Sequence, residues 1–170
     1  MADLKISICV ENLSQANKGN RINSWFELPV SFDEIASKIQ LDEVNEEYEI
    51  TDFEAPFKIS SSENIDYLNE IAELIEENSG SEAIQYLGEL VSGNVFGDFM
   101  DALNHIDEII VYSDITSFSD YAEFIVDEGG YLSGLPDFIK YNIDYDGIGR
   151  DIRADSNLVQ MDDGVLVEVN

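Results

Sequence analysis

The chain has 170 residues, room for one ordinary domain or for two or three very small ones. A hydrophobic content of 44% with 11% aromatics excludes disorder, while 37 acids against 8 basic residues give a net charge of −29 and argue against direct binding to nucleic acid. One cysteine (Cys9) and one histidine (His105) exclude an internal disulfide and most metal or nucleophile–base constellations.

In chain order, Leu4 to Val10 alternates apolar and polar residues and predicts a strand. A polar loop follows over 12–20, then a second strand over 22–28, stopped by Pro29. Trp25 and Phe26 on that strand are expected to anchor the local core. Ser31 with Glu34 three residues on is a capping box for a short helix reaching Gln40. Residues 47–53 predict a third strand. The period then lengthens from two to 3.6, giving helices over 64–78, 81–91 and 95–105, separated by Ser79-Gly80 and Gly93-Asn94. A β-branched strand is expected over 108–113 and a helix over 117–128, closed by Gly129-Gly130. A short helix over 136–141 precedes a stretch, 143–153, that reads as irregular. Strands over 158–161 and 165–169 flank Asp162-Asp163-Gly164, a hairpin signal. The expected fold class is α+β, as three small domains in a row. A sheet with a helix spans 1–61, an acidic helical bundle spans 62–106, and a sheet with helices spans 107–170.

The charge is patterned. No Lys or Arg occurs among the 81 residues from 59 to 139, a stretch that holds 18 acids. With average composition roughly ten basic residues would stand there. Salt adaptation is a poor account of this, because the chain carries 20 Ile and 13 Asn against 9 Ala. At 100° per residue, Asp66, Glu70, Glu73 and Glu77 fall within about 60° on the first of the three helices, opposite Ile65, Leu68, Ile71, Ala72 and Ile75. That stripe runs about 16 Å at ~1.5 Å per residue. No Lys or Arg at three or four residues' spacing neutralises it, so each like-charge pair costs a few tenths of a kcal/mol, roughly. Asp120, Glu123 and Asp127 repeat the arrangement, and Asp98 with Asp101 makes a shorter version. Glu82 and Glu89 add to the middle segment. B-DNA carries one charge per about 1.7 Å of axis, so 29 charges would match at most about 49 Å of duplex. One stripe is too sparse for that density; several elements end to end and side by side are needed, which favours an elongated molecule.

Other motifs carry less. A calcium loop starting at Asp144 has Ile148 at its fifth position and Asp151 at its eighth, with Arg150 and Arg153 inside it. A turn in which Arg150 pairs with a local Asp is the expectation there. Gly93 to Gly97 lacks the Gly-Lys-Ser/Thr ending of a phosphate loop, and there is no nucleophile elbow. Carboxylate pairs are uninformative among 37 acids. His105 is expected to cap the helix it follows. No catalytic residue, metal or cofactor is expected. No run of about 18 apolar residues predicts a membrane span. Met1-Ala2-Asp3-Leu4-Lys5 shows no secretory pattern, and with the lone cysteine this predicts a cytoplasmic setting.

Three blocks carry a resemblance. They are Asn23-Ser24-Trp25-Phe26-Glu27-Leu28-Pro29, the run from Glu46-Glu47-Tyr48-Glu49-Ile50 through Asp52 and Glu54 to Pro56-Phe57, and Ile143-Asp144-Tyr145 with Gly149-Arg150-Asp151 beyond. In order along nearly the whole chain, they resemble the ArdA antirestriction family. The resemblance implies a non-catalytic protein of mobile genetic elements that inhibits type I restriction–modification enzymes by posing as bent double-stranded DNA in their recognition groove, against the specificity and methyltransferase subunits. It also implies three small domains and an elongated dimer joined through the C-terminal domain. Trp25, Tyr48, Pro56 and Gly149 in the shared blocks read as architectural. The phosphate-mimicking role falls to the acidic stripes on the residues' own pattern. The alternative is an acidic inhibitor or chaperone of another basic DNA-binding protein, such as a nucleoid protein.

Overall fold

The computed structural model describes residues 4–170; Met1-Ala2-Asp3, at the start of the segment read for a leader, lies outside the described residues. The chain is α+β and forms two compact units, one ending at Asn104 and one spanning His105–Asn170.

The first unit is built on an antiparallel sheet in the order β2-β1-β3, from β1 (Ser7–Asn12), β2 (Asn23–Glu27) and β3 (Tyr48–Glu54). The one-turn helix α1 (Leu13–Ala16) opens the stretch expected to be loop, and α2 (Phe32–Ile39) begins on the predicted cap, with Ser31 Oγ accepting from the Glu34 amide. Ile8 pairs with Phe26 across one edge of β1 and with Phe53 across the other; a bulge between Cys9 and Val10 shifts the register against β3. Ile6, Ile8, Val10, Phe26, Ile35 and Ile39 form the sheet–helix core. Trp25 departs from expectation: it is 46% exposed, because successive residues of a strand face opposite ways and Phe26 takes the inward position.

One buried polar side chain joins three parts of this core. Asn12 is fully buried; its Oδ1 accepts from the Gln15 amide, starting α1, while its Nδ2 donates to the carbonyls of Ile39 and Gln40. Those carbonyls lie at the end of α2, where helix geometry leaves acceptors without intrahelical donors.

The helical segment continues the same unit. It contains α3 (Ile65–Glu77), one stretch of 3₁₀ helix (Glu82–Tyr86) running into α4 (Leu87–Ser92), and α5 (Phe99–Asn104). The helix predicted over 95–105 is shorter than expected, because Gly97 and Asp98 cap it rather than join it. The boundary expected between residues 61 and 62 falls inside this unit. There the Asn69 amide on α3 closes a two-way bridge to the backbone before α2, accepting from Val30 N at 2.9 Å and donating to Val30 O at 2.8 Å.

The second unit has a sheet in the order β4-β6-β5, from β4 (Ile109–Tyr112), β5 (Leu158–Gln160) and β6 (Leu166–Val169), with β5 and β6 forming the predicted hairpin. Its helices are α6 (Phe118–Glu128), α7 (Asp137–Lys140) and α8 (Tyr145–Asp155). The stretch expected to be irregular is therefore a helix, with Asp144 Oδ1 capping it at the Gly147 amide. Gly149 lets α8 approach α6: a Cβ there would stand 2.7 Å from the Phe118 carbonyl carbon and oxygen. Tyr112 ties sheet to helix, donating to Glu168 Oε2 at 2.7 Å and packing edge-on against Tyr121 at 5.0 Å between ring centres.

Candidate anionic interaction surface

The α3 stripe forms as its sequence predicts. Asn64 Oδ1 accepts from the amides of Asp66 and Tyr67, so the helix starts where the apolar period starts. Ile65, Leu68, Ile71, Ala72 and Ile75 are buried, which leaves Asp66, Glu70, Glu73 and Glu77 exposed on the other side. Asp66 sits in the first turn, where the helix dipole favours an anion; Glu73 and Glu77 lie toward the other end, where it does not, and no basic residue stands in the last turn. On α6, Ser117 Oγ caps the amide of Asp120, and Asp120, Glu123 and Asp127 are exposed in turn. After burial itself, Asp127 and then Glu123 push the phenol of neighbouring Tyr145 above its ordinary pKa.

The other expected residues divide. Glu82 is exposed at the start of the 3₁₀ stretch, while Glu89 on α4 is half-buried. Asp98 and Asp101 also hold the local backbone in place. Asp98 Oδ1 accepts from the Asp101 amide at 2.8 Å, and Asp101 Oδ2 accepts from the Gly97 amide at 3.0 Å. Asp98 is exposed and Asp101 half-buried.

Helical periodicity overlooks a further group. Between Asp42 and Glu54 the chain carries seven acids and no basic residue, and Glu46, Glu47, Asp52 and Glu54 are exposed at or beside the edge strand β3. Acid density along the sequence, regardless of period, is the signal that marks them.

Six of the eight cations are engaged elsewhere. Lys5 pairs with Glu27 at 2.7 Å, Arg21 approaches the buried Glu11 carboxylate at 3.8 Å, and Arg150 stands 3.9 Å from Asp144, a local pairing of the expected kind. Lys38 lies over the Phe26 ring, Arg153 over Phe118, and Lys18 donates to Asn45. Among the described residues, none of Asp66, Glu70, Glu73, Glu77, Asp120, Glu123 and Asp127 has a cationic partner. Nor do they include a cluster of three or more His, Cys, Asp or Glu side chains placed to hold a metal, or a helix long and apolar enough to cross a membrane.

Such a molecule is an acidic α+β protein that displays rows of carboxylates while most of its few cations contact its own side chains. The ArdA antirestriction protein family model matches residues 8–167, and the chain belongs to that family. It is thus an antirestriction protein, and restriction enzymes are the partners its family implies. No curated protein matches it.

Proposed function

We propose that the protein is a mimic of bent double-stranded DNA that competes for the recognition groove of type I restriction–modification enzymes. The observation that carries this reading is the α3 stripe, four exposed carboxylates that have no counter-ion among the described residues, on a helix whose other face is core. A helix selected for stability alone would alternate signs along that face. Carboxylates take the place of phosphates against the Lys and Arg of the specificity and methyltransferase subunits, and the summed field steers association. Binding is the whole action, and no bond is made or broken. Glu82, Glu89, Asp98 and Asp101 widen the surface of the first unit; Asp120, Glu123 and Asp127 supply that of the second.

The same reading places the protein in the cytoplasm, where mobile DNA meets the enzyme, as a homodimer joined through its C-terminal part. Tyr131, Leu135, Phe138, Ile139 and Tyr141 support the dimer: all five are exposed apolar or aromatic residues in one short segment. Exposed apolar surface of this kind commonly marks an association site. Phe138→Ser with Tyr141→Ser is expected to turn a dimer into a monomer in sedimentation equilibrium, with the far-UV spectrum unchanged. A wild-type chain that sediments as a monomer contradicts the dimer.

The function is tested by competition between the purified protein and duplex DNA for a type I methyltransferase. The expected outcome is mutual exclusion, whereas a ternary complex of protein, enzyme and duplex contradicts competition.

A further inference from the structure

Beside the α3 stripe lies a cleft of about 770 Å³. Phe53, Phe57, Tyr67 and Phe99 contribute aromatic walls, and Glu63 and Asp98 contribute carboxylates. Phe57 and Phe99 stack with ring centres 4.7 Å apart; Phe99 is the buried floor, and Phe57 and Tyr67 are half-exposed. Tyr67 follows Asp66 and precedes Glu70 on α3, so the cleft borders the carboxylate row. Lys58 also lines it, leaving two carboxylates against one ammonium. Burial first, then the charges of Asp98, Glu63 and Glu70, raise the Tyr67 phenol above its ordinary pKa, in keeping with an anionic setting for the cleft.

Resting on the competitive reading above, we infer that this cleft takes one arginine side chain of the target enzyme, as a short-range anchor inside the long-range field. Aromatic faces and carboxylates together select a cation. A guanidinium suits them better than an ammonium, since it is planar, stacks on rings, is weakly hydrated and donates to carboxylates in a fork. A neutral apolar group would bring no counter-charge to Glu63 and Asp98, and an anion would meet them as like charges. Arginines that fill a pocket are common among the few residues that dominate an interface.

Two arms test it. In the first, the full-length protein is titrated with N-acetyl-argininamide while the ring resonances of Phe57 and Tyr67 are followed, with N-acetyl-norleucinamide as the neutral control. Argininamide is expected to shift those rings; the control is not, and Tyr67→Leu is expected to abolish the response while Tyr67→Phe keeps it. Equal shifts with the control, or none with argininamide, overturn the inference. In the second arm, Tyr67→Leu, checked for folding by circular dichroism, is expected to bind the methyltransferase roughly ten-fold more weakly at every salt concentration, with the slope against salt unchanged. Wild-type affinity in that variant overturns the anchor. If the wild-type protein fails to displace duplex at all, the mimicry reading falls, and the argininamide arm still decides the cleft.

Discussion

Asn12 shows how much of this fold rests on single polar groups. Its three hydrogen bonds join β1 to the start of α1 and the end of α2; the Asn12 side chain and its bond to the Ile39 carbonyl are buried, and the other two bonds are part-buried. At about 1 kcal/mol net per bond, with an added cost for stranding the buried Ile39 carbonyl, Asn12→Ala is expected to lose roughly 2–4 kcal/mol in urea unfolding. A loss well under 1 kcal/mol would mean that water replaces the amide. Tyr112 is the second such residue. Burial, then its bonds to Glu168 and Tyr121, push its phenol far above its ordinary pKa. The folded phenol thus resists ionisation where the unfolded one ionises, near pH 10. Its contribution to stability is complete below about pH 10 and is lost as the solution becomes more alkaline. Absorbance titration is expected to show a tyrosine that ionises only as the protein unfolds, and Tyr112→Phe is expected to remove that step. Neither residue is legible in the sequence, because Asn12 meets partners 27 and 28 residues away and Tyr112 one 56 residues away.

At the scale of elements, local chemistry is readable wherever a cap and a period agree. The helices α2, α3 and α6 start on Ser31, Asn64 and Ser117 as predicted, and the β5–β6 hairpin turns at its Asp-Asp-Gly. The helix α8 is hidden from such reading because Gly147 and Gly149 are poor helix formers taken alone. Gly149 is explained only by the backbone of Phe118 against it, a tertiary fact. Trp25 escapes it too, because alternation fixes which residues share a face but not which face is inward. The α3 stripe also bears a prediction. Changing Asp66, Glu70, Glu73 and Glu77 to their amides relieves four like-charge pairs within α3, Glu73 with Glu76 included, together roughly 1–2 kcal/mol, and gives up a first-turn anion worth up to about 1 kcal/mol. Thermal stability is therefore expected to hold or rise slightly, while affinity for the methyltransferase falls and depends less on salt. Unfolding of that variant would make the stripe a structural feature.

For the molecule as a whole, charge is the most legible property and also the least specific. Net −29 alone supports solubility or any basic partner. Narrowing comes from where the charges stand: exposed rows on α3 and α6, a third group along β3, and six of eight cations drawn into the fold's own contacts. Asp98 and Asp101 show the limit of reading acids by period, since both also cap α5. A surface that stands in for phosphates binds by displacing counter-ions, so its affinity is set by salt more than by any one contact. The most direct test measures binding of the purified protein to a type I methyltransferase across a salt series, with duplex DNA as competitor. Affinity is predicted to fall steeply and linearly on logarithmic axes, with duplex and protein excluding each other throughout. Binding that ignores salt, or that leaves the duplex in place, would contradict mimicry.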